Sequence, residues 1–138
     1  MLVVSNTSPV ANLALIERLD LLRDQFERVW IPDAVREELD HLPSATAKAS
    51  IERARQEGWL QLRSIENAQL AAILGNELDR GEAEAIALSI EMSADLLLIV
   101  EREGRVAARQ AGLRATGVLG VLLRAKATGK IPPVKSEI

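Results

Sequence analysis

The sequence predicts an α/β fold, a three-layer α/β/α sandwich around a mainly parallel sheet of four to five strands. Three observations lead there. Short apolar runs recur at residues 2–5, 28–31 and 95–100. The last of these, "DLLLIV", is continuous, as expected of a strand covered on both faces. Helical patterns of about ten residues separate the runs, which is the alternation that builds parallel sheets.

The elements follow in order. Leu2–Ser5 reads as a first strand. Asn6 or Thr7 then caps a helix, with Pro9 in its first turn, where a missing N–H costs nothing. Leu13, Leu15, Ile16, Leu19, Leu21 and Leu22 are expected to carry the apolar face of this helix and its continuation. Arg28–Ile31 is a second short strand. Pro32 opens the helix "PDAVREELDHL", with Val35, Leu39 and Leu42 at helical spacing. "ATAKASIERARQEG" is a polar, alanine-rich helix ended by Gly58. "WLQLRS" is a weaker third strand. Two helical patterns follow, broken at "DRG", residues 79–81. After "DLLLIV" come a helix over Arg102–Gly112, a short strand "LRATG" and a last helix over Val118–Thr128. The 138 residues suit a single domain. Pro132 and Pro133 end the pattern, leaving 131–138 as a C-terminal tail.

Composition narrows the chemistry. Aromatic residues make up only 2%, so the core is aliphatic, which argues against base-stacking platforms for single strands. There is no cysteine, which removes disulfides, zinc thiolates and cysteine nucleophiles. One histidine, His41, cannot build a histidine-rich metal site. The N-terminal apolar stretch lacks a basic leader and is broken by Asn12, Glu17 and Arg18, so no signal peptide is expected. No apolar run is long enough to span a bilayer, and a cytoplasmic location is expected. The net charge is −3 and unevenly spread. Residues 101–138 hold eight basic against three acidic residues, a charge of +5, which leaves −8 on the first hundred. An acidic body beside a basic segment suits a polyanion path next to an acidic pocket.

In a parallel sheet, ligands gather beyond the carboxyl ends of the strands. Two such ends stand out, Ser5–Asn6–Thr7 and Val100–Glu101–Arg102. Helical acids stand at Glu37 and Glu38 and at Glu82 and Glu84. Carboxylates drawn from separate segments are the usual way to hold Mg²⁺ or Mn²⁺, and such ions polarise phosphodiesters and activate water. Plainer roles compete with this. Asn6 suits a helix cap, Glu82 a favourable charge near a helix start, and Glu101 with Arg105 a surface ion pair. No glycine-rich phosphate loop supports binding of a small anion.

Four blocks, "VVSNTSPVANLALIERLDLL", "IPDAVREEL", "LDRGEAEAIALSIEMSADLLLI" and "GLRATGVLGVLLRAKATGKI", resemble in order the blocks of the PIN-domain superfamily over residues 2–131. The chain is most similar to the bacterial and archaeal branch grouped with VapC-like toxins. The resemblance implies a PIN-like fold, homodimers and a divalent-metal endoribonuclease acting on RNA. It also implies an antitoxin-like protein partner and a site of about four acids holding Mg²⁺ or Mn²⁺. Carried over by position, the acids fall on Glu38 and Glu82, with Glu84 as the alternative to Glu82, and on Glu101. Thr7 and Ser8 match the small polar residues beside the first-strand acid, and Arg102 with the later cations would steer RNA. Two positions depart. Asn6 stands where the family has aspartate, and Val100 stands where it has another acid before Glu101. Such a depleted site implies one weakly held ion. It also leaves open a catalytically silent module that acts by dimerising and binding a partner.

Overall fold

The protein is described from a computed structural model, which places residues 1–117 and 120. The first strand, β1 (Val3–Ser5), is buried along its whole length. It is followed by β2 (Val29–Ile31), β3 (Leu60–Leu62), β4 (Leu96–Leu98) and β5 (Ala115–Thr116). All neighbouring pairs run parallel, in the order β3-β2-β1-β4-β5. The chain therefore builds outward from β1 to one edge, then returns to the centre and builds toward the other. The reversal lies between β1 and β4, where an open parallel sheet leaves a crevice for a ligand.

Side chains on successive strand residues point to opposite faces, so the sheet has two cores. On one face Val3, Val29, Ile31, Leu60, Leu96 and Leu98 meet Val10 and Leu13 of α1 (Thr7–Leu15) and Leu22 of α2 (Asp20–Phe26). Val35 and Leu39 of α3 (Asp33–Asp40) and Ile51 of α4 (Ala45–Gln56) complete that core. On the other face Val4, Leu97 and Ile99 meet Ala85, Ile86 and Leu88 of α6 (Arg80–Met92) and Ala108 of α7 (Arg102–Gln110). Leu74 of α5 (Ala68–Leu74) packs on the same cluster. Helices on both faces of a parallel sheet make the α/β/α sandwich that the alternation of elements predicts.

Helix ends follow the punctuation. Pro32 is the N-cap of α3. Gly58, after the end of α4, takes φ +87°, a conformation that strains side-chain-bearing residues. The Ser44 hydroxyl accepts the Ala47 N–H at 3.1 Å and caps α4. Ser44→Ala is expected to cost about 1 kcal/mol, read as a lower midpoint in urea unfolding.

The first helical region differs from the sequence reading. Leu15 and Ile16 do not belong to an apolar face, being 54% and 41% exposed. The leucine series spans two helices, because α1 ends at Leu15 and the chain turns through Glu17 at φ 59°. The buried face of α1 is Pro9, Val10, Ala11, Leu13 and Ala14 instead. The expected helix over 118–128, the tail over 131–138 and most of the basic C-terminal segment lie outside the described residues. Among the described residues, no helix is long and apolar enough to cross a membrane.

Candidate functional site

The crevice at the β1–β4 reversal holds a pocket of about 300 Å³ lined by Asn6, Thr7, Ser8, Glu38, Glu77, Asp79, Glu82, Glu101 and Glu103. A larger hollow of about 540 Å³ near Met1, Phe26 and Trp30 contains one acid, Glu27. Donor chemistry, not volume, distinguishes the crevice: among the described residues, six of the nine that line it are acidic and none is basic.

Each lining residue is brought there by its element. Asn6 follows β1, and its N–H donates to the Leu98 carbonyl at 2.9 Å, which ties the start of α1 to the end of β4. Its residue is 4% exposed. Asn6 occupies the N-cap position of α1, but its side chain makes no capping hydrogen bond. Among the described residues, Asn6 Oδ1 is buried without a partner, as are Thr7 Oγ1 and Glu82 Oε2. The capping hydrogen bond expected of the Asn6 side chain is therefore absent; its oxygen packs toward Gly81 of α6.

Glu82 is the third residue of α6 and is 6% exposed. Its backbone N–H is accepted by Asp79 Oδ1 at 2.8 Å, and its own Oε1 accepts the Asp79 N–H at 3.2 Å. This reciprocal capping box satisfies the first turn of α6 and holds the carboxyl at the pocket wall. Burial, above all, pushes the Glu82 carboxyl up from the ordinary glutamate range. The Asp79 N–H opposes this, while the negative charges of Asp79 and Glu101 add to it.

Two helical glycines make room for the acids. A Cβ at Gly81 would collide with Glu38 Oε1 and stand 3.2 Å from Asn6 Oδ1. A Cβ at Gly104 would stand 2.9 Å from Glu82 Oε2. The oxygens of Asn6 and Glu38 thus crowd one point on α6, and that of Glu82 lies against α7. Glu38 is exposed at the rim, as are Glu101 and Glu103. Among the described residues, no three acidic or imidazole groups draw together closely enough to form a ligand cage. Glu82 ties one oxygen to the Asp79 N–H.

The structure brings together Asn6, Thr7, Ser8, Glu38, Glu82 and Glu101 around one pocket. It does not bring Arg102 into the lining; Arg102 is exposed at the first position of α7. Arg105 donates to the Val100 carbonyl at 2.7 Å in place of the expected pairing with Glu101. Glu84 does not replace Glu82. It turns away, accepts the Ala34 N–H at 3.0 Å and pairs with Arg80 at 3.1 Å. Sequence reasoning missed Glu77, Asp79 and Glu103. The D-x-x-E spacing of Asp79 and Glu82 is a capping-box signature that could have flagged Asp79. Glu103, in the first turn of α7, supplies an acid on the side where Val100 supplies none.

Comparison with known proteins agrees with this geometry. A search of curated proteins finds no match. Among solved structures, the fold is similar to the PilT N-terminus domain protein SSO1118 from Sulfolobus solfataricus P2. That match has a TM-score of 0.65 at 20% identity and covers 91% of this chain and 93% of the other. It is also similar to PAE2754 from Pyrobaculum aerophilum, with a TM-score of 0.63 at 16% identity, covering 92% and 98%. The family model described as PIN domain matches residues 2–138. A five-stranded parallel sheet with an acidic crevice at its reversal accompanies that match, and the chain belongs to the PIN-domain family.

Proposed function

We propose that the chain is a divalent-metal-dependent endoribonuclease of the VapC-like, toxin–antitoxin kind. Glu38, Glu82 and Glu101 hold Mg²⁺ or Mn²⁺ with Asn6 as a neutral ligand, and Glu103 joins them from α7. The protein acts on RNA in the cytoplasm, as a homodimer restrained by an antitoxin-like partner.

One observation carries the reading. Asn6 Oδ1, Thr7 Oγ1 and Glu82 Oε2 are buried polar atoms without partners among the described residues, and all three belong to residues of one acidic pocket. Leaving such a group unsatisfied costs about 1–3 kcal/mol, so three in one pocket point to a ligand that satisfies them. Neutral, acceptor-rich oxygens among carboxylates fit a hard divalent cation. A cation bound there supplies the positive charge that polarises a phosphodiester and favours ionisation of water. The carboxylates contribute the negative charge that retains it. Thr7 and Ser8, in the first turn of α1, face the pocket at the positive end of the helix dipole and orient a phosphate.

The second reading is a catalytically silent PIN module that dimerises and binds a partner. It is favoured by the neutral Asn6 and by the absence of a three-acid cage among the described residues. Calorimetric titration with Mn²⁺, paired with cleavage of a structured RNA, separates the two. The nuclease reading expects saturable binding and Mn²⁺-dependent cutting that Glu38→Ala reduces at least tenfold. Cutting untouched by Glu38→Ala discards the proposed site, and no cutting with intact folding leaves the silent module.

A further inference from the structure

The stretch Arg80–Glu84 does two jobs along one turn of α6. Glu82 faces the pocket, while its neighbours grip α3. Arg80 Nη1 donates to Glu37 Oε2 at 2.6 Å, and Arg80 Nε donates to Glu84 Oε2 at 3.1 Å. Glu84, only 8% exposed, uses its other oxygen to accept the Ala34 N–H at 3.0 Å. Ala34 lies in the first turn of α3, and Glu37 immediately precedes Glu38. Between the two grips, Gly81 lies against Glu38 Oε1 and Asn6 Oδ1.

A buried carboxylate is a poor source of stability, because desolvation offsets much of its hydrogen bonding, but it specifies register. Here the register is that of the helix bearing Glu38. We propose that Arg80 and Glu84 are positioning residues, which lock α3 against α6 so that the Glu38 carboxylate is presented beside Asn6 at the pocket. The link to ion binding rests on the function proposed above; the link to the place of Glu38 does not.

Metal-free crystal structures of the full chain and of Glu84→Ala test the positioning directly. Glu38 Oε1 is expected to leave Gly81 in the variant; its unchanged place overturns the inference, whether or not any ion binds. Mn²⁺ titration then tests the consequence, at a temperature where circular dichroism shows every variant folded. Glu84→Ala is expected to weaken binding about tenfold. Glu84→Gln keeps an acceptor oxygen for the Ala34 N–H and is expected to recover most of the loss. Because Glu84 acts through Glu38, the double variant Glu38→Ala, Glu84→Ala is expected to lose no more than Glu38→Ala alone. Additive losses, or wild-type affinity in Glu84→Ala, overturn the inference. If Glu84→Ala does not fold, Arg80→Ala takes its place in both experiments. Its side chain is 62% exposed, so its removal spares the core. A wild-type chain that binds no Mn²⁺ defeats the metal reading and leaves the positioning to the crystal structures.

Discussion

Glu82→Gln is expected to stabilise the metal-free protein while lowering Mn²⁺ affinity and RNA cleavage on the order of a hundredfold. The two effects have one cause. Glu82 is 6% exposed, and its Oε2 has no partner among the described residues. Burial raises its pKa, with Asp79 and Glu101 adding repulsion. Between the ordinary glutamate range and the raised value, the folded chain holds a proton that the unfolded chain releases. Folded stability therefore falls as pH rises through that window, and the penalty persists at neutral pH. Glutamine keeps the oxygen that accepts the Asp79 N–H and carries no charge to bury. An ion reverses the balance, because binding needs the carboxylate ionised. Thermal unfolding at several pH values, with and without Mn²⁺, reads both effects. A variant less stable than wild type at pH 7, or equally stabilised by Mn²⁺, would defeat this account of the pocket.

Asn6→Asp is the second large change, and it acts in the opposite sense. Asn6 is 4% exposed, it lines the pocket, and its Oδ1 has no partner among the described residues. A carboxylate there finds no hydrogen-bond donor where the Asn6 oxygen stands, among the described residues, and joins a wall that already holds Glu38, Glu82 and Glu101. The metal-free variant is expected to lose about 2–4 kcal/mol, the scale of an uncompensated buried charge. With Mn²⁺ present, the added charge is expected to raise affinity at least tenfold. Its unfolding midpoint should then climb steeply with ion concentration, since a ligand that binds only the folded state stabilises it by mass action. Cleavage should rise with affinity. A variant as stable as wild type without metal, and no better at binding Mn²⁺, would show that Asn6 does not face an ion.

How far the site could be read from the sequence differs between residues. Glu38 and Glu82 lie in segments whose order resembles a known family, Glu101 follows the third of them by two residues, and all three line one pocket. Asp79 was legible in principle, through its spacing from Glu82. Glu77 and Glu103 were not, because nothing local separates them from ordinary surface acids. The cap expected of Asn6 failed for a related reason. A side chain at an N-cap position can turn to the helix or away from it, and its surroundings choose.

The sequence alone determined the elements of this protein and their alternation. Aliphatic runs and helix caps act between near neighbours, so Val3–Ser5, Leu96–Leu98 and the starts of α3 and α4 are written locally. Only the tertiary structure decided which strands adjoin and where each polar side chain finds its partner. Glu84 answers to Ala34, fifty residues away, and Asn6 lies beside Leu98 at the reversal of strand order. A hydrogen bond or a repulsion depends on distance through space, and chain folding sets that distance independently of sequence spacing.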